Sequence, residues 1–240
     1  MNFYIITGAS KGLGDAIARQ AESKGKRVYS LSRSESQNGI FKKCDLSDPQ
    51  NAENVINVIF DEVNPSEFQM IVLINNVGTL HPIKTADNID FEEITANLNS
   101  NLLSAIVLCS CFIKRLRGFQ GVKKIVNITS GAARKAYHGW SLYCASKAGL
   151  EQFSRCLAIE QSRADNPVSI VNVDPVLIDT DMQALIRNSN EKDFPDLSRF
   201  IEYKNQGKLA DPETIASRIL TGTELDKFYS GETIKVNDYK

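Results

Sequence analysis

The residues Phe3-Tyr-Ile-Ile-Thr-Gly-Ala-Ser-Lys-Gly-Leu-Gly14 set the reading of the whole chain. An apolar run, Phe3 to Thr7, has the length and character of a buried strand. It feeds a turn with glycines at 8, 12 and 14, and then an amphipathic pattern to about Ser23 with Ile17, Ala18 and Ala21 on its inner face. Strand, glycine turn and helix in this order form the opening of a dinucleotide-binding unit. The glycines permit a tight turn and close backbone approach, and the helix start offers free N–H groups and a positive dipole end to a pyrophosphate. Gly8, Ser10, Gly12, Leu13 and Gly14 are the candidate contacts.

The next apolar run, Arg27 to Leu31, ends in Ser32-Arg33. Sites that prefer the unphosphorylated cofactor place an acid here to hold the ribose 2′-OH, and none is present. Arg33, with Lys11 from the glycine turn, suits a 2′-phosphate, which predicts NADP(H). Ile40 to Lys43 reads as an edge strand, and Asp45-Leu46 after it as an adenine contact. Pro49 starts a helix with an apolar face from Ala52 to Val63. Met70 to Ile74 is apolar throughout and so central. Its continuation, Asn75-Asn76-Val77-Gly78, falls at the strand end where open α/β sheets bind ligands, which makes Asn76 and Gly78 candidates.

Phe91 to Leu116 reads as one long helix carrying Asn101, a residue suited to kink it or hold a water. Val122 to Thr129 is a strand that ends at Ser130. Tyr143 and Lys147 then stand on one face of a helix running to about Arg163. A lysine beside a phenol favours the phenolate, so the pair predicts a lowered tyrosine pKa and a proton donor tuned toward neutrality. Val168 to Val173 is a further strand, closed by Pro175. From 176 to about 207 the pattern loosens into a candidate lid containing Phe194, Leu197 and Phe200. Asp211-Pro212-Glu213 caps a last helix, Ile215 to Leu220, and Glu232 to Val236 makes a last strand. The alternation implies one domain, 1–240, with a parallel sheet between two helical layers.

Bulk properties narrow the class of partner. The 240 residues are 42% hydrophobic and 24% charged, with a net charge of -1. No Lys/Arg block is present, which argues against nucleic acid or an anionic membrane. No signal peptide is expected ahead of the first strand, and no apolar run is expected to reach the roughly 20 residues of a bilayer span. The five cysteines lack metal-ligand spacing, so free thiols and no metal are expected, in a cytoplasmic protein.

Taken together, Thr7-Gly8-x-x-x-Gly12-x-Gly14, Asn75-Asn76-Val77-Gly78, Asn101, Ser130, Tyr143-x-x-x-Lys147 and Pro175-x-x-x-x-Thr180 resemble the short-chain dehydrogenase/reductase family over essentially the whole chain. The resemblance implies a Rossmann-like, doubly wound, three-layer α/β/α fold with strand order 3-2-1-4-5-6-7, and hydride transfer to or from nicotinamide C4. It implies that Tyr143 is the proton donor, that Lys147 holds the nicotinamide ribose, that Ser130 binds the carbonyl oxygen and that Asn101 anchors a relay water. Pro175, Ile178, Thr180 and Met182 become cofactor contacts, and a homo-oligomer, dimer or tetramer, is expected. Within the family, the surroundings of Trp140 and of Met182-Gln183 look like those of bacterial benzil reductases, relatives of sepiapterin reductase that make (S)-benzoin.

Tyr137, Trp140, Leu177 and Met182 would line an apolar pocket suited to an aromatic ketone or α-diketone reduced by NADPH. The alternatives are a secondary alcohol dehydrogenase, a sepiapterin or pteridine reductase, and a non-catalytic NADP sensor. Two positions depart from the family pattern. Val77 replaces its alanine, and Val176 replaces the glycine after Pro175, which is expected to remove a flexible backbone point and crowd the nicotinamide side.

Overall fold

The computed structural model describes residues 1–225 and 229–238. Its strands are β1 (Asn2–Thr7), β2 (Arg27–Ser32), β3 (Ile40–Lys43), β4 (Met70–Asn75), β5 (Val122–Ile128), β6 (Val168–Asp174) and β7 (Thr233–Lys235). They form one parallel sheet in the order β3-β2-β1-β4-β5-β6-β7. All six residues of β4 are buried. A run apolar on both faces needs cover on both, and the parallel crossovers supply it as helices.

One layer holds α1 (Gly12–Ser23) and α8 (Pro212–Glu224), over Tyr4, Ile6, Val72 and Val126. The other holds α2 (Pro49–Glu62), α4 (Ser104–Arg115) and α5 (Ser141–Gln161), over Phe3, Ile5, Leu73 and Ile125. Phe3 is fully buried among Tyr29, Phe60 and Phe68, and burying such a side chain stabilises by about 3 kcal/mol. Helix starts follow local chemistry. Asp48 accepts from the Gln50 amide ahead of α2, and Asp211 from the Thr214 amide in α8, each followed by a proline at the first helical position.

The 91–116 helix departs from expectation. It is α3 (Phe91–Leu98), a π-helical turn at Asn99–Leu103 and then α4. By length and composition the run Phe91–Arg115 would pass for a bilayer span. Here its polar residues bond within the fold: Asn97 and Asn101 to the backbone of the loop after β4, and Ser104 to the Leu46 carbonyl at 2.6 Å. The last helix, α8, runs beyond its expected apolar stretch Ile215 to Leu220 at both ends, from Pro212 behind the Asp211 cap to Glu224.

Strand order reverses direction at β1 and β4. The connections leaving these neighbours go to opposite sides, so their C-terminal ends part into a crevice.

Candidate active site

Thr7, at the end of β1, joins the two strands across this crevice. Its Oγ1 accepts from the Asn76 amide at 2.9 Å and the Val77 amide at 3.1 Å. The Asn76 side chain donates to Thr7 O at 3.1 Å and Gly8 O at 3.3 Å, so its nitrogen holds the glycine turn in shape. Gly8 and Gly12 both have positive φ, 67° and 59°. At Gly14 the reason is packing, since a Cβ there would stand 2.2 Å from Gly8 O. The first amides of α1 receive no side-chain cap. Uncapped N–H groups behind a turn with no side chains in the way fit the pyrophosphate of a dinucleotide.

Arg33 and Asp45 come together at the β2–β3 side of the crevice. Asp45 accepts from Ser47 N at 3.0 Å and Ser47 Oγ at 2.8 Å, bonds that lower its pKa, and the Arg33 charge lowers it further. Lys11 points elsewhere. It pairs with Asp181 at 2.7 Å, with both side chains more than 70% exposed. An ion pair so exposed is worth little and gives way to a stronger anion.

The π turn presents Asn101 inward. Its Oδ1 accepts from Thr79 N at 2.7 Å, and its Nδ2 donates to Thr79 O at 2.8 Å and Asn97 Oδ1 at 3.0 Å. Asn101 therefore fixes the loop after β4 rather than reaching Lys147 directly. A void of about 10 Å³ touches Asn101, Asn75 and Thr7, at the lower limit for one water. Gly78 lies between the two groups: a Cβ on it would be 3.4 Å from Lys147 Nζ and 3.7 Å from Asn101 Oδ1.

Lys147 Nζ donates to Ile128 O at 2.9 Å and sits 5.8 Å from the Tyr143 ring centre. Burial lowers the lysine pKa to about 8. Ser130 accepts from the Ala132 amide at 3.1 Å and hydrogen-bonds with the Tyr143 hydroxyl. The expected drop in the tyrosine pKa is not found. Burial pushes Tyr143 up to about 12, the Ser130 bond opposes this only in part, and the Asp174 carboxylate adds to the rise. Removing the phenolate from water outweighs an ammonium that is itself poorly solvated. At neutral pH, Tyr143 is a protonated acid.

Over this centre lies the lid, with α6 (Asp181–Arg187) and α7 (Leu197–Asn205). Its base is tied by Ala210 N to Leu177 O at 2.7 Å and Asp179 N to Ala210 O at 2.9 Å. Trp140 stacks on Phe194 at 4.8 Å and lies near Tyr137 at 4.7 Å, with Tyr143 edge-on at 6.1 Å. Leu177 and Met182 pack on the same cluster. Tyr143 is only 7% exposed beneath it. Thr180, at the start of α6, lies close to the glycine turn: a Cβ on Gly12 would be 3.4 Å from its Cγ2. Pro175 and Ile178, on the same stretch, are buried between the sheet end and the lid.

Val176 keeps the backbone point it was expected to remove. Its φ is 61°, a conformation that costs a β-branched residue about 1–3 kcal/mol. Asp174, whose carboxylate accepts from the Val176 amide, and Arg134, which pairs with both Asp174 and Glu151, were missed in the sequence. The one available signal was an acid, Asp174, directly before Pro175 at a sheet end that faces a ligand. Along the run from 91 to 116, Phe112 is in the core, whereas Leu103 is 45% exposed.

A family model described as short chain dehydrogenase matches residues 2–191. The chain is 38% identical to "Benzil reductase ((S)-benzoin forming)" of Bacillus cereus, covering 99% of this chain and 100% of that one. It is 40% identical to the protein of the same name from Bacillus subtilis (strain 168), covering 95% and 98%. Among solved structures, the KRED1-Pglu enzyme superposes with a TM-score of 0.83 at 25% identity, covering 98% of this chain and 100% of that one.

Proposed function

This chain belongs to the short-chain dehydrogenase family, and from that premise we propose that it is an NADPH-dependent carbonyl reductase acting on an aromatic ketone or α-diketone of the benzil type. The observation that carries the reading is the buried Tyr143 hydroxyl, bonded to Ser130 beside Lys147 and roofed by Trp140 and the lid. A bound nicotinamide dinucleotide supplies the hydride. The chain supplies the rest. Tyr143 gives its proton to the developing alkoxide and Ser130 stabilises the same oxygen. Lys147 places its charge by the nicotinamide ribose, and Asn101 holds the loop that carries Gly78 against it. With its pKa raised to about 12, Tyr143 carries its proton at neutral pH, the form a general acid needs. Arg33, and Lys11 once released from Asp181, would bind the 2′-phosphate.

The aromatic roof supports a flat, apolar substrate, and so does the name shared by the two Bacillus relatives. With Tyr143 this deeply covered, substrate entry requires the lid to lift. The exposed Phe91 and Leu103 favour a homodimer through α3 and α4, working in the cytoplasm. The test is a panel of aliphatic ketones, aromatic ketones and α-diketones with NADPH and NADH, followed at the reduced-nicotinamide absorbance band. Turnover of the aromatic α-diketone with NADPH at least tenfold above the aliphatic ketones is expected. Binding of NADPH with no carbonyl reduced would overturn the reading.

A further inference from the structure

Pro175 has no N–H, so the first amide beyond β6 is that of Val176. Asp174 Oδ1 accepts it at 3.1 Å, while Asp174 Oδ2 accepts from Arg134 Nη2 at 2.5 Å. Arg134 Nη1 donates to Glu151 Oε1, and Glu151 Oε2 accepts from Arg155 Nη2 at 3.1 Å. Both carboxylates are buried, 5% and 2% exposed. Buried charges stay ionised when opposite charges and hydrogen bonds meet them, and here the partners come from three different segments. Arg134 is four residues beyond Ser130. Glu151 is one helical turn beyond Lys147. Val176 lies in the turn that runs from the sheet end to Thr180 beside the glycine turn. A residue strained at φ 61° keeps that conformation only where its surroundings impose it, and its amide donates to the Asp174 carboxylate.

We propose that Asp174 and Arg134 are positioning residues: the ion pair holds Val176 in its left-handed conformation and thereby sets the Pro175–Thr180 turn over the cofactor crevice. The segment that a glycine would let bend freely is instead locked from the side by a charge pair anchored to the catalytic helix. The cofactor part of this inference rests on the reductase reading above, whereas the linkage between Asp174 and Val176 stands apart from it.

A double-mutant cycle on the full chain tests it, using Asp174→Ala, Val176→Gly and the pair together. The readouts are the thermal midpoint without ligand and NADPH affinity by fluorescence titration. Asp174→Ala is expected to lower the midpoint by about 6 °C and weaken NADPH about tenfold. In the Val176→Gly background, where the backbone adopts positive φ without help, the same change is expected to cost less than half as much in both readouts. Equal losses in the two backgrounds, or no loss in either, would overturn the proposal. Should Asp174→Ala fail to fold, Asp174→Asn takes its place. It keeps an acceptor for the Val176 amide but gives up the charge pair with Arg134, and is expected to weaken NADPH about fivefold, with less than half of that loss in the Val176→Gly background; equal losses in the two backgrounds, or none in either, refute the linkage. A parent protein that ignores NADPH would sink the reductase reading, while the midpoint cycle would still judge the linkage.

Discussion

At the β1–α1 end of the crevice, the groups open to the crevice are backbone amides, exposed by Gly8, Gly12 and the uncapped start of α1. At the β5–α5 end they are side chains taken out of water: Tyr143, Lys147 and Asn101, exposed 7%, 2% and 1%. The first end needs room and a fixed turn, and it tolerates charge from solvent. The second end needs exclusion of water, and its acid–base properties follow from burial more than from neighbours. Damage should differ accordingly. Changes at the amide end should act on folding and affinity, and changes at the buried end on rate and its pH dependence.

The sharpest way to break this contrast is Tyr143→Phe. Loss of the acid is expected to lower kcat about 1,000-fold with NADPH affinity within threefold, since the ring and its packing on Trp140 remain. Parallel loss of binding and rate would merge the two ends into one. Next in size is Gly14→Ala, whose Cβ would meet backbone at Gly8 and the Asn76 side chain at 2.5 Å. Urea denaturation should show about 3 kcal/mol of destabilisation; a neutral result would mean that the turn is not packed as described.

Arg33→Ala probes the amide end without touching its packing. Removing one charge-assisted phosphate contact is expected to weaken NADPH about 20-fold and NADH hardly at all, in a pair of titrations. The smallest effect belongs to pH. Lys147 titrates near 8 in the fold, below its ordinary 10.5, because burial opposes its charge. Its ammonium is therefore intact below that value and is lost above it. Reductive kcat/KM should be level to about pH 7, halved near pH 8 and down about tenfold at pH 9, while Tyr143, with its pKa raised to about 12, stays protonated throughout. A profile flat to pH 10 would show that the lysine charge is not used.

These two ends also differ in how far the chain betrays them. The glycine turn, Arg33, and Tyr143 four residues before Lys147 are local patterns, legible because each residue type answers a local requirement, and the sheet order follows from the strand–helix alternation. The π turn was not legible: periodicity through Phe91–Leu116 is helical, and the bonds that go with the extra residue run from Asn97 and Asn101 to a loop some 20 positions away and from Asn99 and Ser104 to residues more than 50 positions away. The tyrosine pKa was misread because proximity of Lys147 is visible in a sequence and depth of burial is not. The Arg134–Asp174–Glu151 cluster joins residues 40 and 17 positions apart, and charges scattered so widely look like surface.

The wide turn at Asn99–Leu103 makes chain length itself a functional variable. Deleting a single residue there would let the coil rewind into an ordinary helix, with α3 and α4 keeping their register while the bulged backbone withdraws from the loop it faces. Neither the lysine nor the tyrosine would have changed. Asn101 would still swing off the Thr79 loop, and the glycine that loop presents to the lysine would go with it. An enzyme of this construction can be silenced by arithmetic, with every reactive group still in the chain.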